Sequence, residues 1–281
     1  MKLLLLYIST TLTLFSDQFS DYWYSGKAEV AVYDLQQSRY GKIREGKSVL
    51  IFVSEPFSKS KHVKLDYPSK AGKDKTPALK MNRTKSYATG IYPYSVMTSA
   101  FAEVDTGKLL KATTSVQEWC GHVYMQADAK GKDNYTFQGH SYFESEGEQK
   151  VTLKNTSLEE SILLQIRLNK LQEGKINLTP SQEQSRMLHF PYQPTEATVE
   201  VSQEADYKKV TVSYAHPLKL NSEIHFAKEF PYHIVKWVES FEKGGKTYST
   251  TATLKTIQQL PYWSMNSPEF DSMRKEIGLE E

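Results

Sequence analysis

The sequence predicts a mainly β protein: one long curved antiparallel sheet or open barrel with one or two helices, or two β halves in place of one unit. Three observations carry this. Short runs of alternating apolar and polar residues recur along most of the chain, the period of a half-buried strand. Clusters of Gly, Asn, Asp and Lys separate them at hairpin spacing. The 18 tyrosines and 12 phenylalanines favour strands. A chain of 281 residues accommodates one large β-domain, residues 21–281, or halves at 21–181 and 194–281 joined through 182–193.

The elements follow in order. KAEVAVYDLQQSRYG reads as a strand, and SVLIFVSE as its hairpin partner after a turn at Arg44, Glu45 and Gly46. PALKMNRTKSYAT, YPYSVMTSAFAEV, KLLKATTSVQEWC, HVYMQADA and NYTFQGHSYFES come next at close spacing, which makes a meander. NTSLEESILLQIRLN interrupts it as an amphipathic helix near 157–169, with Ser157 and Glu160 at capping-box spacing. LHFPY, ATVEVS, YKKVTVSYAH, EIHFAKEFPYHIVKWVESFE and KTYSTTATLKTIQQL are again strand-like. The last should turn Ser249, Thr251, Thr253 and Lys255 to water. SPEFDSMRKEIG closes the chain as a helix near 267–277, with Ser267 as N-cap, Pro268 at the first position and Gly278 as the stop.

The first residues have a different character. MKLLLLYISTTLTLFSDQ has one lysine, an apolar run from Leu3 to Phe15 and then small or polar residues, the layout of a secretory signal over 1–20, with a buried first strand as the alternative. The run is too short for a transmembrane span, which needs about 20 apolar residues. The expected location is therefore exported, periplasmic or associated with the outer membrane. Net charge is only +2 with no basic block, which excludes the footprint of a nucleic-acid binder and lends no polybasic attraction to a membrane surface.

SVQEWCGHVYMQ holds the single cysteine. If the strand runs through it, Glu118, Cys120 and His122 share a face as a candidate hydrolase or transferase row, but neighbours on that face lie about 7 Å apart, beyond nucleophile–base reach. Gly121 offers a bulge that re-aims His122. A cysteine acting as a small hydrophobe is the simpler reading. Trp119 and Met125, on the other face, fill a core or line an apolar cavity, with room at Gly121 for a backbone or a ligand. Tyr92 and Tyr94 flank Pro93 and, beside Trp119, form a stacking surface or a cross-strand pair. The dispersed histidines show no metal-ligand spacing, no cofactor is called for, and no phosphate loop, dinucleotide fingerprint, nucleophile elbow or HExxH occurs.

SGKAEVAVYDLQQSRYG, EGKSVLIFVSEPF, TGIYPYSVMTS and SVQEWCGHVYMQ resemble a family of uncharacterised bacterial envelope proteins, often labelled septum formation inhibitor Maf, over Ser25 to Leu279. That label implies an α/β pyrophosphatase, whose Ser-x-Ser-x-x-Arg opening and alternating β/α pattern this chain lacks. More remotely, long antiparallel strands with a helix are similar to the half-barrels of periplasmic lipoprotein carriers. The leading expectation, read from the residues, is a non-enzymatic envelope protein whose concave sheet binds an apolar or lipid-like small molecule, or an envelope protein partner, through Tyr92, Tyr94, Trp119 and Met125. Its rivals are the Cys120–His122 enzyme and a structural or adhesive surface protein.

Overall fold

A computed structural model describes residues 18–280. Residues 18–23 are helical (α1). The strands are Ala28–Arg39 (β1), Lys42–Ser58 (β2), Lys75–Thr89 (β3), Tyr92–Glu103 (β4), Leu109–Glu118 (β5), Gly121–Ala129 (β6), Tyr135–Ser141 (β7), Glu148–Leu153 (β8), Ser157–Leu158 (β9), Gly174–Thr179 (β10), Thr195–Gln203 (β11), Lys208–Tyr214 (β12), Asn221–Phe226 (β13), Ile234–Lys243 (β14) and Lys246–Leu260 (β15). Helices Ser161–Arg167 (α2), Gln182–Leu188 (α3) and Met273–Glu276 (α4) complete the chain. The signal expected over 1–20 lies almost wholly outside the described residues.

All fifteen strands form one sheet, in the order β8-β7-β6-β5-β4-β3-β2-β1-β15-β14-β13-β12-β11-β10-β9. Every pairing is antiparallel except the short β9–β10 contact. The expectation of one long open antiparallel sheet holds. Its curvature follows from the connectivity. Fourteen strand spacings of about 4.8 Å would put the edges β8 and β9 about 65 Å apart in a flat sheet. Yet only residues 154–156 separate Leu153 from Ser157, and four peptide steps reach about 14 Å. The sheet must therefore curl until its two edges nearly meet. The link is pinned at that seam, where Thr156 N donates to Asp133 O at 3.0 Å and Asn155 N to Asn134 Oδ1 at 3.1 Å.

Alternation decides what lies inside the curl. On β4, Tyr94, Val96, Ala100 and Ala102 are buried while Tyr92, Ser95 and Met97 are not. The inward positions of nearly every strand belong to one apolar cluster, which also takes Ile162, Leu163, Leu164 and Ile166 of α2 and Met187 of α3. The concave side is thus filled by the protein's own side chains and two short helices. Among the described residues, the open apolar hollow expected of a lipid cup is not found there: the void between α2 and the sheet measures about 30 Å³, room for one or two waters. Outside, Ser249, Thr253 and Lys255 of β15 are exposed as expected.

Several boundaries differ from the sequence reading. The first hairpin turns at Tyr40 and Gly41, both in the left-handed region, and not at Arg44 to Gly46. Gly46 lies within β2 because the backbone of β3 crowds it: a Cβ there would meet Ser86 O at 2.3 Å. Residues 182–188, expected in a linker, form a buried helix, and LHFPY is the exit of that helix instead of a strand. Helix α2 begins at Ser161, with Ser157 paired in β9, so no capping box forms. The closing helix is a 3-10 turn at Pro268–Phe270 followed by one turn of α4.

Helix α2 is locked to the sheet by charge. Arg167, fully buried, directs two nitrogens at the carboxylate of Glu29 and donates Nε to Pro231 O at 2.8 Å. Its guanidinium lies 4.6 Å from the ring centre of Phe52 and 5.0 Å from that of Trp23. A buried pair is costly to break because the survivor keeps an uncompensated charge. Arg167→Met should therefore lower unfolding free energy by about 3–5 kcal/mol, read by denaturant titration. The double variant Glu29→Leu/Arg167→Met should recover most of that loss.

Candidate functional site

Two polar assemblies stand out, one inside the curl and one at its rim. Inside, Arg83 and Lys85 of β3 alternate in phase with Leu79 and Met81 and so point inward. They meet Glu239 of β14 and Glu183 of α3 in a closed ring of four charges. Lys85 Nζ lies 2.8 Å from Glu183 and 2.7 Å from Glu239, and Arg83 lies 3.0 Å from each. Strands β3 and β14 are four spacings apart in the sheet, about 19 Å if flat, so the ring exists only because of the curl.

Beside the ring, Glu159 accepts from Tyr214 Oη and Ser222 Oγ, each at 2.7 Å, and from Ser181 N at 3.0 Å. Glu160 accepts from Gln182 N at 2.7 Å through one oxygen, while its other oxygen is buried without a hydrogen-bond partner and the residue lines the 30 Å³ void. Burial pushes the Glu160 carboxyl up to about 7. Burial would also raise Glu239 and Glu29, but Lys85 and Arg83 hold the first at about 2 and Arg167 holds the second at about 2. No group of three or more His, Cys, Asp or Glu among the described residues is placed to hold a metal ion.

The second assembly is a cleft of about 400 Å³ at the end of the curl where the hairpins turn. The N-terminal side of α3 is fixed by its Ser181 cap, whose Oγ accepts from Gln184 N, and its last residues, Met187 to His189, form one wall. The tips of β1–β2, β5–β6 and β14–β15 supply Arg39, Tyr40, Glu118, Cys120, Phe241 and Tyr248. Arg39 anchors the first hairpin to α3 by donating to Met187 O at 2.8 Å, and its guanidinium lies 4.4 Å from the Tyr40 ring centre. Around this mouth runs a series of aromatic rings: Tyr40 and Tyr94 hydroxyls are 2.9 Å apart, Tyr87 stacks on Tyr94 at 4.9 Å, and Tyr92 lies 5.8 Å from Tyr94 and 6.2 Å from Trp119.

The residues singled out from sequence divide accordingly. Tyr92, Tyr94 and Trp119 do come together, but Tyr94 is buried and bonded to its neighbours, Tyr92 is half-buried, and Trp119 is exposed at a hairpin tip instead of filling a core. Met125 packs in the core. The space expected at Gly121 is occupied by the ring of Tyr142, 2.5 Å from where a Cβ would stand. Glu118, Cys120 and His122 do not form a row on one strand, because β5 ends at Glu118 and Trp119–Cys120 are its turn. Glu118 pairs with Gly121, whereas His122 pairs with Gln117 on the opposite face and is exposed. Glu118 accepts from Cys120 N at 2.7 Å, and its hydrogen bond and charge push the exposed thiol up. The group at the sulfur is the Glu118 carboxylate, whose charge disfavours the thiolate, and His122 does not face it.

The charged ring and Glu159–Glu160 were missed from sequence. The ring's signal was phase: Arg83 and Lys85 keep step with Leu79 and Met81, and Glu239 with Trp237 and Phe241.

No family model matches the chain, and no curated protein matches it. Among solved structures it is similar to a β-barrel-like protein of a domain of unknown function, DUF1849, from Brucella abortus, 12% identical with a TM-score of 0.49, over 83% of this chain and 98% of that one. It is also similar to a DUF1089 family protein from Pseudomonas aeruginosa, 10% identical with a TM-score of 0.35, over 56% of this chain and 82% of that one. Neither carries a Maf or lipoprotein-carrier name.

Two outcomes follow for measurement. Glu29 and Glu239, lowered from 4.5, contribute stability that is complete above that value and lost as pH falls towards 2; Glu160, raised from 4.5, contributes stability that is lost as pH rises through 7. Denaturant titrations across pH should show a decline above about 4.5, of which Glu160→Gln removes about 3 kcal/mol, the remainder coming from Glu159, which burial also raises. Cys120 should react with iodoacetamide more slowly than a free cysteine at pH 7, and Glu118→Gln should speed it by lowering the thiol pKa.

Proposed function

We propose that this chain is a non-enzymatic binding protein of the cell envelope, which takes an apolar or amphipathic ligand, or a segment of an envelope partner, in the cleft at the hairpin end and not inside the sheet. The reading rests on one contrast: the concave face is filled, while the cleft beside α3 is open and about 400 Å³ in volume, the size at which small-molecule sites begin. Its walls set Phe241, Tyr248, Met187 and Leu188 among a larger number of polar groups, Arg39, Glu118, His189 and Lys243 included, which suits an amphipathic ligand with an apolar part and polar or charged ends. The export signal read at residues 1–20 supports the envelope location. Tyr40, Phe241 and Leu188 replace Tyr92, Tyr94, Trp119 and Met125 as the contacts of this reading, because none of those four lines the cleft.

The Cys120 enzyme has no supporting geometry, since the thiol is pushed up and His122 points to the other face. The purified chain should bind 1-anilinonaphthalene-8-sulfonate at one site, seen as a fluorescence rise. Leu188→Asp, at a half-buried cleft wall, should weaken that binding about tenfold, whereas Met125→Leu should leave it unchanged. Equal binding by Leu188→Asp would place the ligand elsewhere.

A further inference from the structure

Four hairpins of the meander, β1–β2, β3–β4, β5–β6 and β7–β8, turn at the same end of the sheet, because successive antiparallel strands send alternate connections to one rim. Each tip carries one large apolar side chain held into solvent. Tyr40 is 61% exposed, Ile91 85%, Trp119 68% and Tyr142 64%. Hairpin tips ordinarily take small or polar residues, and Tyr40 even occupies a left-handed position, φ 54°, that suits Gly or Asn. Core packing does not account for side chains that are mostly in water.

Charge adds a second observation. Hairpin β14–β15 reaches the same rim next to β1–β2, since β15 pairs with β1. Lys42 follows the Tyr40 tip, and Lys243 and Lys246 flank the Gly244–Gly245 turn. None of the three is ion-paired among the described residues. Of the acids at this rim, Glu146 pairs with His189, Glu148 with His140 and Glu242 with Lys219, while Glu118 accepts from Cys120 N and Glu144 and Glu45 stand in solvent. The chain has no polybasic block, yet the fold gathers lysines from its two ends beside a line of apolar tips.

We propose that this rim docks on the surface of an anionic lipid bilayer, with Tyr40, Ile91, Trp119 and Tyr142 at headgroup level and Lys42, Lys243 and Lys246 against the anionic groups. The spacing favours a fluid partner. Neighbouring tips are two strand spacings apart, about 10 Å, so their exposed ends project as separate knobs. A rigid protein surface would need complementary pockets to enclose such knobs, whereas headgroups close around each one. Trp and Tyr rings settle at that depth because one part is apolar and the other polar, and lysines near the surface gain from anionic lipid. The cleft opens at the same rim, so a docked molecule would present it to the bilayer.

Co-sedimentation with vesicles of phosphatidylcholine alone, and of phosphatidylcholine mixed with phosphatidylglycerol, tests this. The chain should partition onto the mixed vesicles, less so at high salt, and weakly onto neutral ones. Ile91→Ser/Trp119→Ser should reduce partitioning about tenfold or more, since two apolar side chains no longer leave water. Lys243→Glu/Lys246→Glu should remove the preference for phosphatidylglycerol. Neither Ile91 nor Trp119 lines the cleft, so the serine variant should keep its dye binding, which separates a failure of docking from a failure of the cleft reading. Unchanged melting of the variant by circular dichroism confirms that it folds. The proposal is overturned if no vesicle binds, if the serine variant partitions as well as the parent, or if the apolar tips instead drive a dimer seen in sedimentation velocity.

Discussion

Residues 154–156 tie one edge of a fifteen-stranded sheet to the other, and that short tether sets the shape of everything between them. A flat sheet would need a connection several times longer than the chain supplies there. Curling brings β3 opposite β14 and leaves a closed interior in which strands far apart in the sheet share side-chain contacts. The antiparallel ladder supplies local order, but the seam near Thr156 decides how far the sheet bends.

The curl also explains why so much charge is tolerated inside. Arg83, Lys85, Glu183 and Glu239 cancel one another in a closed ring, and Arg167 and Glu29 cancel in a second site sandwiched by Phe52 and Trp23. Each pair joins elements that the backbone ladder does not join: α3 to β3 and β14, α2 to β1. Buried charge of this kind adds little net stability compared with apolar packing, because desolvation offsets attraction. Its contribution is specificity, since a helix docked in another register would leave several ions unpaired. Helices α2 and α3, at seven residues each, are too short to hold themselves together, and those ion pairs with the surrounding apolar contacts keep them in place.

Filling the interior moves the chemistry outward. Two helices and one continuous core occupy the concave side, so the cleft beside α3 lies outside it, where strands end and turns diverge. The cleft beside α3 and the apolar hairpin tips both arise there. The thiol shows the same dependence on place. On a straight strand it would have shared a face with Glu118 and His122; in a two-residue turn it keeps Glu118 as a neighbour and has His122 on the opposite face, which leaves it protonated and accessible.

Much of the fold was legible because alternation is a local property. A residue's neighbours two positions away share its face, so KTYSTTATLKTIQQL could be matched to β15 from end to end, and the meander from β1 to β7 followed. Short elements with weak alternation, β8 to β10, were invisible, and α3 passed for a linker because its sequence, QEQSRML, is polar and its burial depends on partners elsewhere. The sequence alone determined strand identity, which face of each strand goes inward, and the presence in that inward phase of Glu29, Arg83, Lys85 and Glu239. Only the tertiary structure decided which of these meet, how tightly the sheet bends and which surface stays open. Those outcomes depend on contacts between residues 98 to 156 positions apart, and no local period encodes them.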